Sequence, residues 1–243
     1  MSAALVAAKL ALGPVLLPQA RWLRRTALRL PEAPGPREGV QGKGDAKLRV
    51  LVVGDSSAAG VGMADQAQAL ALPLANEISL REGYAVAWQL VARSGVNASE
   101  AIELVRSSRI EAADVAVIVL GVNDVTSQTS AHGFVERMAA LWTLLEEDHG
   151  VKWGVVCGLP PMGKLTAVPQ PLRWYLGRYA SWLDAALGRW SLARGLGYAA
   201  VNFPMQADVL AKDGFHPGVA AYPMWSARLA DIILQGRTKW AAR

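Results

Sequence analysis

The chain has 243 residues, 52% of them hydrophobic and 19% charged, the balance of a packed globular protein with room for one sizeable α/β domain and an appendage, or for two small domains. Its single cysteine, Cys157, excludes an intramolecular disulfide and a cysteine-based zinc site. The net charge of +5 belongs wholly to residues 1–47, where eight Lys/Arg face three Asp/Glu; the remainder carries seventeen of each sign and lacks the cationic excess that binding a nucleic-acid backbone needs.

Residues 3–17 are apolar except for Lys9, and fall short of the roughly 20 residues a transmembrane helix normally needs. The lysine interrupts the apolar run instead of preceding it, unlike the pattern of a cleaved signal peptide. Arg21, Arg24, Arg25 and Arg29 follow, interleaved with Trp22, Leu23, Leu28 and Leu30. That composition fits a segment lying in a membrane interface with its cations towards anionic headgroups, so residues 1–30 are expected to act as a membrane anchor. If the segment spans instead, the cations after it favour the cytoplasmic side for the rest of the chain. The plainer alternative is a helix packed on the domain or on a second subunit. Residues 31–47, with three prolines and four glycines, read as a linker to a domain over 48–243.

That domain opens on residues 48–62, LRVLVVGDSSAAGVG. Leu48, Val50, Leu51, Val52 and Val53 suit a strand buried on both faces of a parallel sheet. Gly54 and Asp55 then form a turn that leaves the Ser56 hydroxyl at the strand's carboxyl end, where open α/β sheets bind ligands. A helical pattern follows over residues 63–81 and a second strand over 84–91, closed by Ser94 and Gly95. A helix over 98–108 can take Asn97 or Ser99 as its cap. Residues 115–120 are the clearest buried strand and end at Gly121-Val122-Asn123-Asp124. Residues 132–148 form an amphipathic helix with Phe134, Met138, Leu141, Trp142 and Leu145 on one stripe. A fourth strand spans 151–157, and the prolines of 158–171 make that stretch an irregular loop over the carboxyl ends. Leu172, Tyr175, Tyr179, Trp182, Ala186 and Trp190 recur at helical spacing and read as core. A short strand over 198–201 and a terminal helix over 219–234 flank Asp213-Gly214-Phe215-His216-Pro217-Gly218. Strand and helix alternate throughout, which makes the class α/β, with a parallel sheet of about five strands and helices on both faces.

Four of the turns follow strands of one sheet, so Ser56, Gly95, Asn123, Asp213 and His216 can converge at its carboxyl edge. These are the residue types acyl transfer uses. A serine hydroxyl needs an imidazole to take its proton, and the imidazole needs a carboxylate to set its tautomer. A tetrahedral oxyanion needs preorganised donors, which a glycine N–H and an asparagine amide supply. The blocks Gly54-Asp55-Ser56-Ser57, Gly95, Gly121-Val122-Asn123-Asp124 and Asp213-Gly214-Phe215-His216-Pro217 resemble, in order, those of the SGNH hydrolases, also called GDSL esterases/lipases. The resemblance covers nearly all of residues 48–236 and implies a three-layer, flavodoxin-like α/β/α sandwich. It implies Ser56 as nucleophile, His216 as general base and acid, and Asp213 as the orienting carboxylate. The Ser56 and Gly95 N–H groups and the Asn123 side chain would form the oxyanion hole, with no cofactor and no metal.

Ser57 stands where the family name has leucine, which raises the question of which serine attacks; the phase of the turn selects Ser56. Asp124 reads as a brace for its loop, Gly95 has a plain turn as its alternative, and His132 and His149 read as surface or helix-end residues. No G-x-S-x-G elbow and no phosphate-cradling loop is present. Leu159, Met162, Leu165 and Val168 give the 158–171 loop an apolar wall, which together with the expected anchor favours acyl or lipid-like esters; the plainer alternative is a loop that caps the core. Thioester or O-acetyl-carbohydrate hydrolysis on the same fold, and a non-catalytic membrane-tethered binding protein, are the competing readings.

Overall fold

A computed structural model describes residues 3–201 and 204–240; the outermost residues of the expected anchor and domain, 1–2 and 241–243, lie outside them. Six strands, β1 (Glu38–Gln41), β2 (Ala46–Gly54), β3 (Ala85–Ala92), β4 (Val115–Val119), β5 (Trp153–Cys157) and β6 (Gly197–Ala199), form one sheet in the order β1-β3-β2-β4-β5-β6. All neighbours pair in parallel except β1, which runs antiparallel to β3 at the edge. The five parallel strands are those expected from the sequence. Every residue of β4 and β5 is buried, which is why both read as unbroken apolar runs. In chain order the parallel strands lie 2-1-3-4-5, the flavodoxin-like arrangement, with its switch point between β2 and β4.

Right-handed crossovers place the helices on the two faces. Helices α2 (Ala71–Glu82) and α7 (Ala221–Gln235) pack together on one side; α3 (Ala98–Ser107), α5 (Ala131–His149) and α6 (Leu172–Ala193) lie side by side on the other. Asn97 caps α3: its side chain accepts from the Ser99 and Glu100 N–H groups, while Glu100 reaches back to the Asn97 N–H. Leu172, Tyr175 and Tyr179 of the aromatic stripe are buried, with Trp182 and Trp190 packed beside them. Helix α2 starts later than the 63–81 pattern suggests. Residues 63–70 instead make a turn around Gln66, which is fully buried and donates to the Ala33 and Ala59 carbonyls. Pro73 then falls in the first turn of α2, where its missing donor is not needed.

Two N-terminal segments carry more structure than their composition suggests. The Pro/Gly-rich stretch 31–47 contains β1 and lies along the body of the fold: Ala33 N–H donates to the Ala59 carbonyl, Gln66 N–H to the Pro34 carbonyl, and Arg37 pairs with Glu32 while reaching the Ala92 carbonyl. Residues 3–26 form one helix, α1 (Ala3–Thr26), despite Pro14 and Pro18. It packs on α6 through buried Leu5 and Leu16, and the Gln19 amide bonds both the Leu172 N–H and the Gln170 carbonyl. Among the described residues no helix is long and apolar enough to cross a membrane.

Candidate active site

The first contributor is the turn after β2. At Gly54 a Cβ would sit 2.8 Å from the Val119 carbonyl oxygen and 2.5 Å from the Ala58 Cβ, so glycine alone lets the chain pass this close to β4. The Asp55 N–H donates to that same carbonyl at 3.0 Å, and the turn leaves Ser56, only 8% exposed, at the switch point of the sheet. The second contributor is the loop before α7. One carboxylate oxygen of Asp213 accepts from the Phe215 and His216 N–H groups at 2.9 and 3.0 Å, which holds the backbone in a tight turn. Its other oxygen lies 2.6 Å from His216 Nδ1, and His216 Nε2 lies 2.9 Å from Ser56 Oγ. Residues 160 positions apart in sequence thus meet in a Ser–His–Asp chain of hydrogen bonds. Ser57 takes no part: its N–H donates to Asp55 and its carbonyl accepts from the Tyr222 hydroxyl.

The loops after β3 and β4 supply the donors. Gly95 follows β3 with φ +86°, in the left-handed region glycine favours, and a Cβ there would meet nothing. Asn123 lies in the first turn of the short helix α4 (Val122–Thr126) and donates one amide hydrogen to the Val96 carbonyl at 2.9 Å, next to Gly95. Its second amide hydrogen remains for another acceptor. Among the described residues neither the Ser56 nor the Gly95 N–H has a protein acceptor. Asp124 is buried and accepts the Ala98 N–H at the start of α3, so it joins α3 to the α4 loop.

The model of the GDSL-like Lipase/Acylhydrolase family matches residues 52–223, most of the chain and a span that includes these five positions. The chain belongs to this family. Among solved structures, the esterase EstA from Pseudoalteromonas sp., described as inhibited by monoethylphosphonate, is 16% identical with a TM-score of 0.58, covering 79% of this chain and 100% of its own. Phospholipase A1 from Streptomyces albidoflavus NA297 is also 16% identical, with a TM-score of 0.53, covering 76% and 99%. A carbohydrate esterase family 2 enzyme with its carbohydrate-binding domain, from Corynascus thermopiles, is 16% identical with a TM-score of 0.60, covering 86% and 69%. No match is found among curated proteins. The likenesses show the shared fold, and the family match makes the chain an ester-hydrolysing enzyme by class.

In this GDSL-like hydrolase the electrostatics differ sharply between the two aspartates near His216. Burial pushes the Asp213 carboxyl up, but hydrogen bonds from the His216 ring and from the His216 and Phe215 N–H groups outweigh it and hold it below its ordinary value. Asp55, by contrast, is 1% exposed, and desolvation dominates: its pKa is raised to about 6, although the Ser57 N–H and the nearby His216 oppose the shift. It shares a mostly apolar cavity with Val119, Leu120 and Trp225, in keeping with that direction. Burial also lifts the Cys157 thiol to about 12, so it is an inert core group. His132 lies on the surface beside Glu136, and His149 ends α5. Among the described residues no His/Cys/Asp/Glu group could hold a metal ion.

Two neighbours of the site escaped the sequence reading. Asp55 read only as a turn former, and Tyr222 occupies what reads as an ordinary apolar position of a helix. Of the wall expected in 158–171, Leu159, Met162, Leu165 and Val168 are all buried; Met162 and Val168 also line a groove beside His216.

Proposed function

We propose that this protein hydrolyses carboxylic esters with apolar acyl or lipid-like chains through an acyl-enzyme on Ser56. The observation that carries the reading is the pair of contacts at His216, 2.9 Å to the Ser56 hydroxyl and 2.6 Å to Asp213. Ser56 Oγ attacks the ester carbonyl carbon as His216 Nε2 takes its proton, and Asp213 holds the imidazolium through Nδ1–H. The oxyanion that forms is met by the Ser56 and Gly95 N–H groups and the Asn123 amide. His216 then protonates the departing alkoxide, and a water activated by the same nitrogen attacks the acyl carbon and frees the acid. The reaction balances without a cofactor.

A monoethylphosphonate ester tests this reading by mass spectrometry. The expected result is one adduct, on Ser56, and loss of ester turnover by at least about 10⁴-fold in Ser56→Ala. Labelling at another residue, or full turnover in Ser56→Ala, would overturn it. Thioesters and O-acetylated sugars, run beside the carboxylic esters, separate the competing substrates.

We further infer that residues 3–30 lie on an anionic bilayer surface. Val6, Leu10 and Leu17 are exposed, and their spacing of four and seven puts them on one stripe of α1. Arg21 and Arg24 continue that stripe at the same intervals, and both are exposed. An apolar stripe that ends in cations is the pattern of a helix lying in the plane of an interface.

A further inference from the structure

Helix α1 does more than pack on α6. The chain leaving it runs against the turn that follows Ser56, where the Pro31 carbonyl accepts the Gly62 N–H at 2.9 Å and a Cβ on Gly62 would press on Leu30. Between this strap and the body of the fold lies an open groove of about 390 Å³ whose lining includes His216 and Asp213. Trp22, Leu23 and Leu28 form one wall; Val168, Leu176 and Phe215 form the other. Its walls are tied into the fold. Leu23 packs on the core, Gln19 ties α1 to the start of α6, and Gly163 lies backbone-to-backbone on Gly177 of α6, where a Cβ on Gly177 would come within 2.6 Å of the Gly163 Cα. Beyond the catalytic pair, its polar side chains are Arg24, Thr26 and Thr126, without the array of amides and carboxylates that a sugar needs. The family match begins at residue 52, so the wall built by residues 22–28 lies outside the matched region.

We propose that this groove binds an alkyl chain of the ester, with Trp22, Leu23 and Leu28 as residues that determine chain-length specificity. The proposal rests on the esterase reading of Ser56 and His216. Each methylene moved from water onto apolar walls is worth about 0.8 kcal/mol, so kcat/KM should rise on the order of fourfold per methylene until the groove is filled. The test uses the full chain and two series of soluble, monomeric esters: p-nitrophenyl esters of lengthening acyl chain, and acetates of lengthening alcohol. Ala27 lines the groove and is exposed, so Ala27→Trp narrows it without entering the core.

The expected result is a rise of kcat/KM with chain length in one series, which names the arm of the ester that enters, and a flattening of that rise in Ala27→Trp and in Leu28→Arg. A flat profile in both series for the natural protein, or a rise that both variants leave unchanged, would overturn the groove assignment while leaving the hydrolase in place. Absence of turnover and of phosphonate labelling for every ester would remove the hydrolase reading, and the groove assignment with it.

Discussion

Asp55 is a carboxyl group in a setting that resists its charge, one residue from the nucleophile. In the unfolded chain it ionises near 3.8; in the fold burial raises this to about 6. The native state therefore binds the proton more tightly than the unfolded state, so the stability that neutral Asp55 lends is complete below pH 3.8 and is lost as the pH climbs through 6. The difference of about two pK units corresponds to about 3 kcal/mol that the ionised group takes from stability at neutral pH. Asp55→Asn keeps an oxygen to accept the Ser57 N–H and removes the charge. It should stabilise the protein by up to about 3 kcal/mol at pH 7 and by almost nothing at pH 4, read from urea unfolding at the two pH values. An equal effect at both would show that the gain does not come from ionisation. Turnover should fall, because the negative charge that attracts an imidazolium at His216 is gone.

At the scale of elements, α1 is tied to the fold by one well-placed side chain. The Leu172 N–H opens α6 and has no partner within its own helix; Gln19 accepts it at 3.1 Å and uses its own amide on the Gln170 carbonyl at 2.5 Å. Gln19→Ala should weaken the seating of α1 by about 1 kcal/mol, seen as roughly fivefold faster hydrogen exchange of α1 amides with β4 and β5 unaffected. Unchanged exchange in α1 would mean that Leu5 and Leu16 alone hold it. Elements of this kind mark where sequence reading stops. The five parallel strands were legible because burial on both faces demands β-branched runs, and α5 because its stripe has the helical period. The Ser–His–Asp convergence was legible for a related reason, since Ser56 sits in the turn directly after a strand and Asp213 and His216 in the loop that leads into the terminal helix. The antiparallel β1 was not, because an edge strand in a stretch of prolines and glycines is set by the partner β3 more than by its own residues. The groove wall was hidden too, since contact between residues 22–28 and residues 162–176 leaves no local pattern.

Across the whole molecule, charge, apolar surface and groove wall meet along α1 and the chain that leaves it. The excess of +5 lies in residues 1–47. The stripe of Val6, Leu10 and Leu17 leads into Arg21 and Arg24, and the neighbouring residues wall the groove that His216 also lines. A bilayer held by that stripe would present ester chains at the groove mouth, so surface binding and chain selection become consecutive steps of one path. Each arginine near an anionic surface contributes about 1 kcal/mol, and both exposed cations are screened by salt. The full chain should therefore sediment with phosphatidylcholine vesicles that contain phosphatidylserine, bind poorly to phosphatidylcholine alone, and release as salt is raised. Replacing Arg21, which does not line the groove, with glutamine should lower the partition coefficient about fivefold, while soluble short-chain esters are turned over as before. Failure to sediment with the anionic vesicles at low salt would sink the bilayer reading, and analytical ultracentrifugation of the same sample would then show whether a second copy covers the stripe. If the anionic vesicles are bound, turnover of a long-chain ester dissolved in them should drop in step with the lost partitioning. A drop in partitioning with no change in that turnover would separate the two steps and leave the groove supplied from solution.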